Sequence, residues 1–288
     1  MDKKYLLSNG DSWTLGFMLD TEYMRLKTMF KMKMNYEHLS KLIEDEDLDE
    51  WSWYIENTKL QKESYDFSVK NRFTGLVSKK MGLEEINISY PGKSNRAIMR
   101  TTIVWILDNQ DKVKDTFFLI GWTAPHRTES VSEDKDEYEI GVDSNVPFSE
   151  IKTLYDIINL QNYFKVNDID YMFIDLFSGL FMEMPDVIRN PYDDTHRNFT
   201  TSLGLYNDLL KTLDKDNFLS EKSLLRIIEE NVDGGNLVAG NQFCELPIEN
   251  NYSDDYKDFV GHPSISSSKI IGDLIYEKIS SDNKGIDR

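Results

Sequence analysis

A chain of 288 residues with a single cysteine, Cys244, cannot form an internal disulfide. Nor can it assemble a cysteine-based zinc centre, and a reducing compartment is its simplest context. Proline and glycine are sparse, at 7 and 15 residues, and nowhere do they gather into a linker. Long apolar runs are missing too. Phe117-Phe118-Leu119-Ile120 is one of the longer ones, whereas a bilayer span takes about 20 residues. Near the start, Tyr5-Leu6-Leu7 gives way to the polar Ser8. That is too short for a signal-peptide core, so the segment reads as a first strand and the expected location is cytoplasmic. Positive charge is scarce: 33 Lys and Arg stand against 51 Asp and Glu, a net charge of −18. Such a balance repels phosphate backbones and anionic membranes, so neither nucleic acid nor membrane is an expected partner. Neither Gly-x-Gly-x-x-Gly nor a Walker A run occurs, which speaks against a nucleotide-binding domain.

What is present suffices for one sizeable core, with 40% hydrophobic residues. Four short continuous apolar runs read as buried strands: Tyr5–Ser8, Glu85–Ser89, Thr116–Gly121 and Tyr171–Asp175. Helical spacing separates them. Ser94–Asn109 begins with a Ser N-cap and aligns Ile98, Thr102, Trp105 and Ile106. Ser149–Phe164 aligns Ile151, Leu154, Ile157, Ile158 and Tyr163, and Ile265–Ser280 aligns Ile270, Leu274 and Ile275. Strand alternating with helix predicts an α/β fold with a parallel sheet and right-handed crossovers. We expect one domain over 1–288, with insertions at about 20–80 and 183–255. The first carries the acidic run Glu44–Glu50, which reads as a solvated segment, and the aromatics Trp51, Trp53 and Tyr54.

Polar residues gather where these strands end. The first runs into Gly10-Asp11-Ser12, placing a serine hydroxyl at the carboxyl end of a parallel strand and at the start of a helix. Asp11 or Ser12 as a plain helix cap is the simpler alternative. The second strand leads to Asn87 and then Pro91-Gly92, whose glycine offers an unhindered N–H, or merely a tight βα turn. The third leads to Gly121-Trp122-Thr123, then His126 and Arg127. Arg127 suits an anionic substrate group, or else a surface ion pair with an acid such as Glu129. Near the end, Asp258 precedes His262-Pro263, just before the last helix. A nucleophilic serine needs such a base and a carboxylate to hold it in one tautomer. His126 is the rival base.

In their order, Gly10-Asp11-Ser12, Asn87 through Gly92 and His262-Pro263 resemble the SGNH, or GDSL-like, hydrolase superfamily. The resemblance implies a three-layer αβα sandwich with a mostly parallel, flavodoxin-like sheet of about five strands. It implies Ser12 as nucleophile and His262 as base, with Asp258 the nearest carboxylate to orient it. The oxyanion hole it implies is made of the Ser12 and Gly92 amides, with Thr123 standing where the family carries an asparagine. Neither metal nor organic cofactor is expected. The family's Asp normally lies three residues before the His, a place held here by Phe259.

The function expected is therefore hydrolysis of an ester through an acyl-enzyme on Ser12, by an esterase or deacetylase acting on a small molecule or an acylated carbohydrate. Asn95, Trp122, His126 and Arg127 are the expected substrate contacts. The alternative is a catalytically impaired protein of this fold that binds a glycan or a protein partner. The composition is compatible with a viral origin.

Overall fold

The computed structural model describes residues 3–16, 58–131, 138–142, 146–177, 180–181, 204–231, 263 and 265–284. In chain order the first elements are β1 (Tyr5–Asn9), α1 (Ser12–Leu15), α2 (Thr58–Asn71), α3 (Phe73–Met81), β2 (Glu84–Asn87) and α4 (Asn95–Asp108). They are followed by β3 (Thr116–Trp122), β4 (Arg127–Val131), β5 (Tyr138–Val142), α5 (Val146–Val166), β6 (Tyr171–Asp175), α6 (Leu224–Asn231) and α7 (Ile265–Lys284).

Strands β2, β1, β3 and β6 lie side by side in that order, every pair parallel. All seven residues of β3 are buried. Phe118, Ile120 and Trp122 point into a core shared with Ile98 and Ile106 of α4 and with Leu154, Ile157, Leu160 and Phe164 of α5. Phe117 and Leu119 point the other way, into a core built with Phe73 and Val77 of α3, Leu224 and Ile228 of α6, and Ile271, Ile275 and Ile279 of α7. Helices on both faces explain why β3 and β6 are nearly continuously apolar rather than alternating. Strand β2, expected as a buried run, is instead the sheet-edge strand, with the sequence Glu-Glu-Ile-Asn and no buried residue. Each large side chain so buried contributes about 1.5–3 kcal/mol.

The α/β expectation holds closely at the strands, which match the predicted runs to within two residues. Ser94 caps α4, its side chain accepting a hydrogen bond from the Ala97 N–H. On α7 the stripe is displaced by one residue. Ile271, Ile275 and Ile279 are buried, whereas Ile270 and Leu274 are only half-buried.

Three segments depart from expectation. Residues 58–81 are not decoration at the sheet edge. A parallel pair needs a crossover, and α3 supplies the one between β1 and β2. Within 204–231, α6 likewise packs into the core, and Phe218 makes a parallel bridge to Phe173. The Leu219 N–H donates to the Phe173 carbonyl at 2.9 Å, so a single bridge stands where a fifth strand would pair. The antiparallel hairpin β4–β5 was not anticipated, because its polar sequence carries no apolar run. The run Glu44–Glu50 and the aromatics Trp51, Trp53 and Tyr54 lie outside the described residues. Among the described residues, no helix is long and apolar enough to cross a membrane.

This strand order contains a switch point. From β1 the chain crosses one sheet face to reach β2, and from β3 it crosses the other to reach β6. The connections leaving β1 and β3 therefore diverge, opening a crevice at their carboxyl ends, where open α/β sheets bind ligands.

Candidate active site at the strand ends

Asn9 closes β1 as a buried strut. Its Nδ2 donates to the Ile98 carbonyl at 2.9 Å and to Thr102 Oγ1 at 2.8 Å. Its Oδ1 accepts from the Gly10 N–H at 2.9 Å and from Lys93 Nζ at 2.8 Å. Lys93 also donates to the Ile88 carbonyl at 2.6 Å, tying the turn after β2 to the end of β1. The two turns meet again where the Tyr90 N–H donates to the Gly10 carbonyl at 3.2 Å. Gly10 must lack a side chain here, since a β-carbon would lie 2.1 Å from Thr14 Oγ1. One on Gly121 would lie 2.5 Å from the same oxygen. Thr14 thus sits against two bare backbones, and α1 lies close over β1 and β3.

Asp11 is fully buried. Its Oδ2 accepts from Thr123 Oγ1 and from Arg127 Nη1, each at 2.7 Å. Its main-chain carbonyl accepts from the Leu15 N–H at 3.0 Å. Both ends of the residue before Ser12 are therefore held. Ser12 itself is 7% exposed, and among the described residues its hydroxyl makes no hydrogen bond. In the neighbouring turn Gly92 has φ 79°, a left-handed conformation that favours glycine.

Other expected site residues have different roles. Trp122 is fully buried and packs edge-on to Phe173, with centroids 5.3 Å apart. It fills the core and offers no surface to a substrate, because the strand extends through it and its side chain follows Ile120. Asn95 is also spent on structure. Its Nδ2 donates to the Thr123 carbonyl and to Thr153 Oγ1, each at 3.0 Å, while its Oδ1 accepts the Thr123 N–H at 2.8 Å. Thr123 consequently has both donors engaged, the N–H by Asn95 and the hydroxyl by Asp11, which removes it as an oxyanion donor. Arg127 pairs with buried Asp11. His126 stands beside it, its pKa lowered from 6.5 by burial and by the Arg127 charge. His262 and Asp258 lie outside the described residues.

The last helix nonetheless has a definite direction. Gly272 lies against Leu76 and the Phe73 carbonyl, and Lys80 pairs with Asp273 and covers the Tyr276 ring. So α7 runs in the same sense as α3, which descends from the strand-end side toward the start of β2. The entry to α7, at the buried Pro263, is on the strand-end side.

A second polar group at this edge was not foreseen. Glu150, near the start of α5, has its pKa raised by burial. The Tyr206 hydroxyl donates to the Leu180 carbonyl at 3.0 Å, and burial together with Glu150 and Asp175 raises its pKa. Asp175, ending β6, accepts the Leu180 N–H at 2.7 Å. Only the position of Asp175 at a strand end hinted at this.

No protein-family description matches the chain, and no curated protein matches it. Among solved structures, it is similar to the psychrotrophic esterase EstA from Pseudoalteromonas sp., in a crystal structure described as inhibited by monoethylphosphonate. The TM-score is 0.43 at 11% identity, over 98% of this chain and 100% of that one. So distant a likeness identifies neither a family nor an activity.

Proposed function

We propose that the protein is a serine hydrolase that cleaves an ester through an acyl-enzyme on Ser12. The observation that carries this reading is the setting of Ser12. It follows the strand at the switch point, its hydroxyl makes no hydrogen bond among the described residues, and its neighbour Asp11 is fixed on the β3 side. In the proposed reaction, His262 takes the Ser12 proton as Oγ attacks the acyl carbonyl. Asp258 holds the imidazole, the Ser12 and Gly92 N–H groups hold the oxyanion, and the alcohol leaves with the proton from His262. Water, activated by the same histidine, then releases the acid. Replacing Ser12 by Ala should abolish both ester turnover and labelling by a fluorophosphonate, with the fold kept. Labelling that persists in the variant would assign the chemistry to another serine.

A second reading, binding of a glycan or protein partner without turnover, is favoured by the engagement of Thr123. Loss of one oxyanion donor costs roughly 3–4 kcal/mol of transition-state stabilisation, or about 10²–10³-fold in kcat. Ligand binding with no acid released over hours would support this reading instead.

A further inference from the structure

Arg127 is held in an unusual way for a nearly buried guanidinium. Its side chain is 18% exposed. One nitrogen, Nη1, donates to Asp11 at 2.7 Å, and the Cζ lies 5.9 Å from the Phe177 ring centroid. Among the described residues, Nε and Nη2 make no hydrogen bond. Arg72 provides the internal contrast. Its Nε and Nη2 grip Glu85 at 3.0 and 2.9 Å, and its Nη1 donates to the Leu15 carbonyl. The same two-nitrogen edge of Arg127, a planar fork shaped for a carboxylate, is the part left over once Asp11 has fixed the side chain. It lies at the switch-point crevice, beside the residue that precedes Ser12.

We infer that Arg127 determines specificity by receiving a carboxylate carried by the substrate, so that the preferred esters are half-esters of dicarboxylic acids or esters of comparably acidic molecules. The ester carbonyl sits at Ser12, and the free carboxylate meets Nε and Nη2 of Arg127 side-on. Asp11 neutralises part of the guanidinium charge and pre-orients it, so little ordering remains to be done on binding. This inference rests on the reading of Ser12 given above.

The test compares p-nitrophenyl butyrate with mono-p-nitrophenyl succinate, which differ chiefly in a terminal carboxylate. The full chain should favour the acidic ester by tenfold or more in kcat/KM, mostly through KM. Arg127→Lys keeps a charge opposite Asp11 but gives up the planar fork, and it should reduce the preference to threefold or less. The double variant Asp11→Asn/Arg127→Gln, which leaves no unpaired charge, should abolish it. Equal rates on the two esters, or an undiminished preference in Arg127→Lys, would overturn the inference. A binding arm separates it from the hydrolase reading: calorimetry with glutarate on Ser12→Ala. Should no ester be turned over, glutarate binding weakened at least tenfold by Arg127→Lys would still uphold carboxylate recognition. Absence of glutarate binding to Ser12→Ala would count against it.

Discussion

The Thr123 hydroxyl and the Arg127 guanidinium converge on a single oxygen of Asp11, each at 2.7 Å, from 112 and 116 residues further along the chain. Asp11 is wholly buried, so the contact joins the turn after β1 to the turn after β3 away from water. Asp11→Ala should therefore destabilise the protein by about 3–5 kcal/mol, because it leaves a nearly buried guanidinium without its counter-charge. Urea unfolding of the variant measures this. A loss below about 1 kcal/mol would mean that the pair is not maintained in solution.

Arg72 and Glu85 make a second enclosed pair, with side chains 6% and 9% exposed. Thr74 Oγ1 adds a hydrogen bond to Glu85 at 2.5 Å. Arg72→Met should cost about 3–5 kcal/mol. By contrast, Lys211→Met, which breaks an ion pair with both side chains 74% exposed, should stay within about 0.5 kcal/mol. Thermal and chemical unfolding of the two variants side by side gives the ratio.

Trp122 offers a direct check on its reassignment from substrate contact to core. Its indole N–H is buried without a hydrogen-bond partner among the described residues. Trp122→Phe removes that burden and loses some volume, so the net cost should be modest, below about 2 kcal/mol. Trp122→Ala should cost about 3–5 kcal/mol. If Trp122→Phe raised KM for an ester tenfold while leaving stability alone, a substrate role would be restored.

Two groups predict opposite pH effects. Folding lowers the His126 pKa below 6.5, so in the window under that value the unfolded chain binds more protons. Stability should rise with pH through that window, and His126→Gln should flatten the rise. Glu150 is the reverse case. Its pKa is raised above 4.5 by burial, so the folded state binds more protons just above that value. Its contribution is lost as pH climbs through the folded pKa. Glu150→Gln should therefore be more stable than the parent at pH 7 and no more stable at pH 4. Unfolding midpoints across pH 4 to 8 for the three proteins test both signs.

The sequence disclosed those parts of this structure that are decided locally. A strand covered on both faces, such as β3, leaves a short continuous apolar run in the sequence. The Ser94 cap is likewise a local matter of one side chain and one N–H. Strand order was legible only through the resemblance of short motifs. The Asp11–Arg127 pair was not legible, since many acids compete for any arginine in a chain of net charge −18 and only the topology selects one. Trp122 was misassigned for a simpler reason. Whether the last residue of a strand faces the core or the crevice depends on where the strand stops. Here β3 runs through Trp122, so its side chain follows Ile120, and Thr123 points toward Asp11.

Central placement of β1 also bears on the order of assembly. The strand that leads into Ser12 is made before both of its neighbours, β2 and β3, which come later in the chain. A nascent chain ending before Thr116 has no second neighbour for β1, and no Thr123 or Arg127 to engage Asp11. The surroundings of Ser12 therefore stay incomplete until β3 is in place, because both side chains that fix Asp11 come from just beyond that strand.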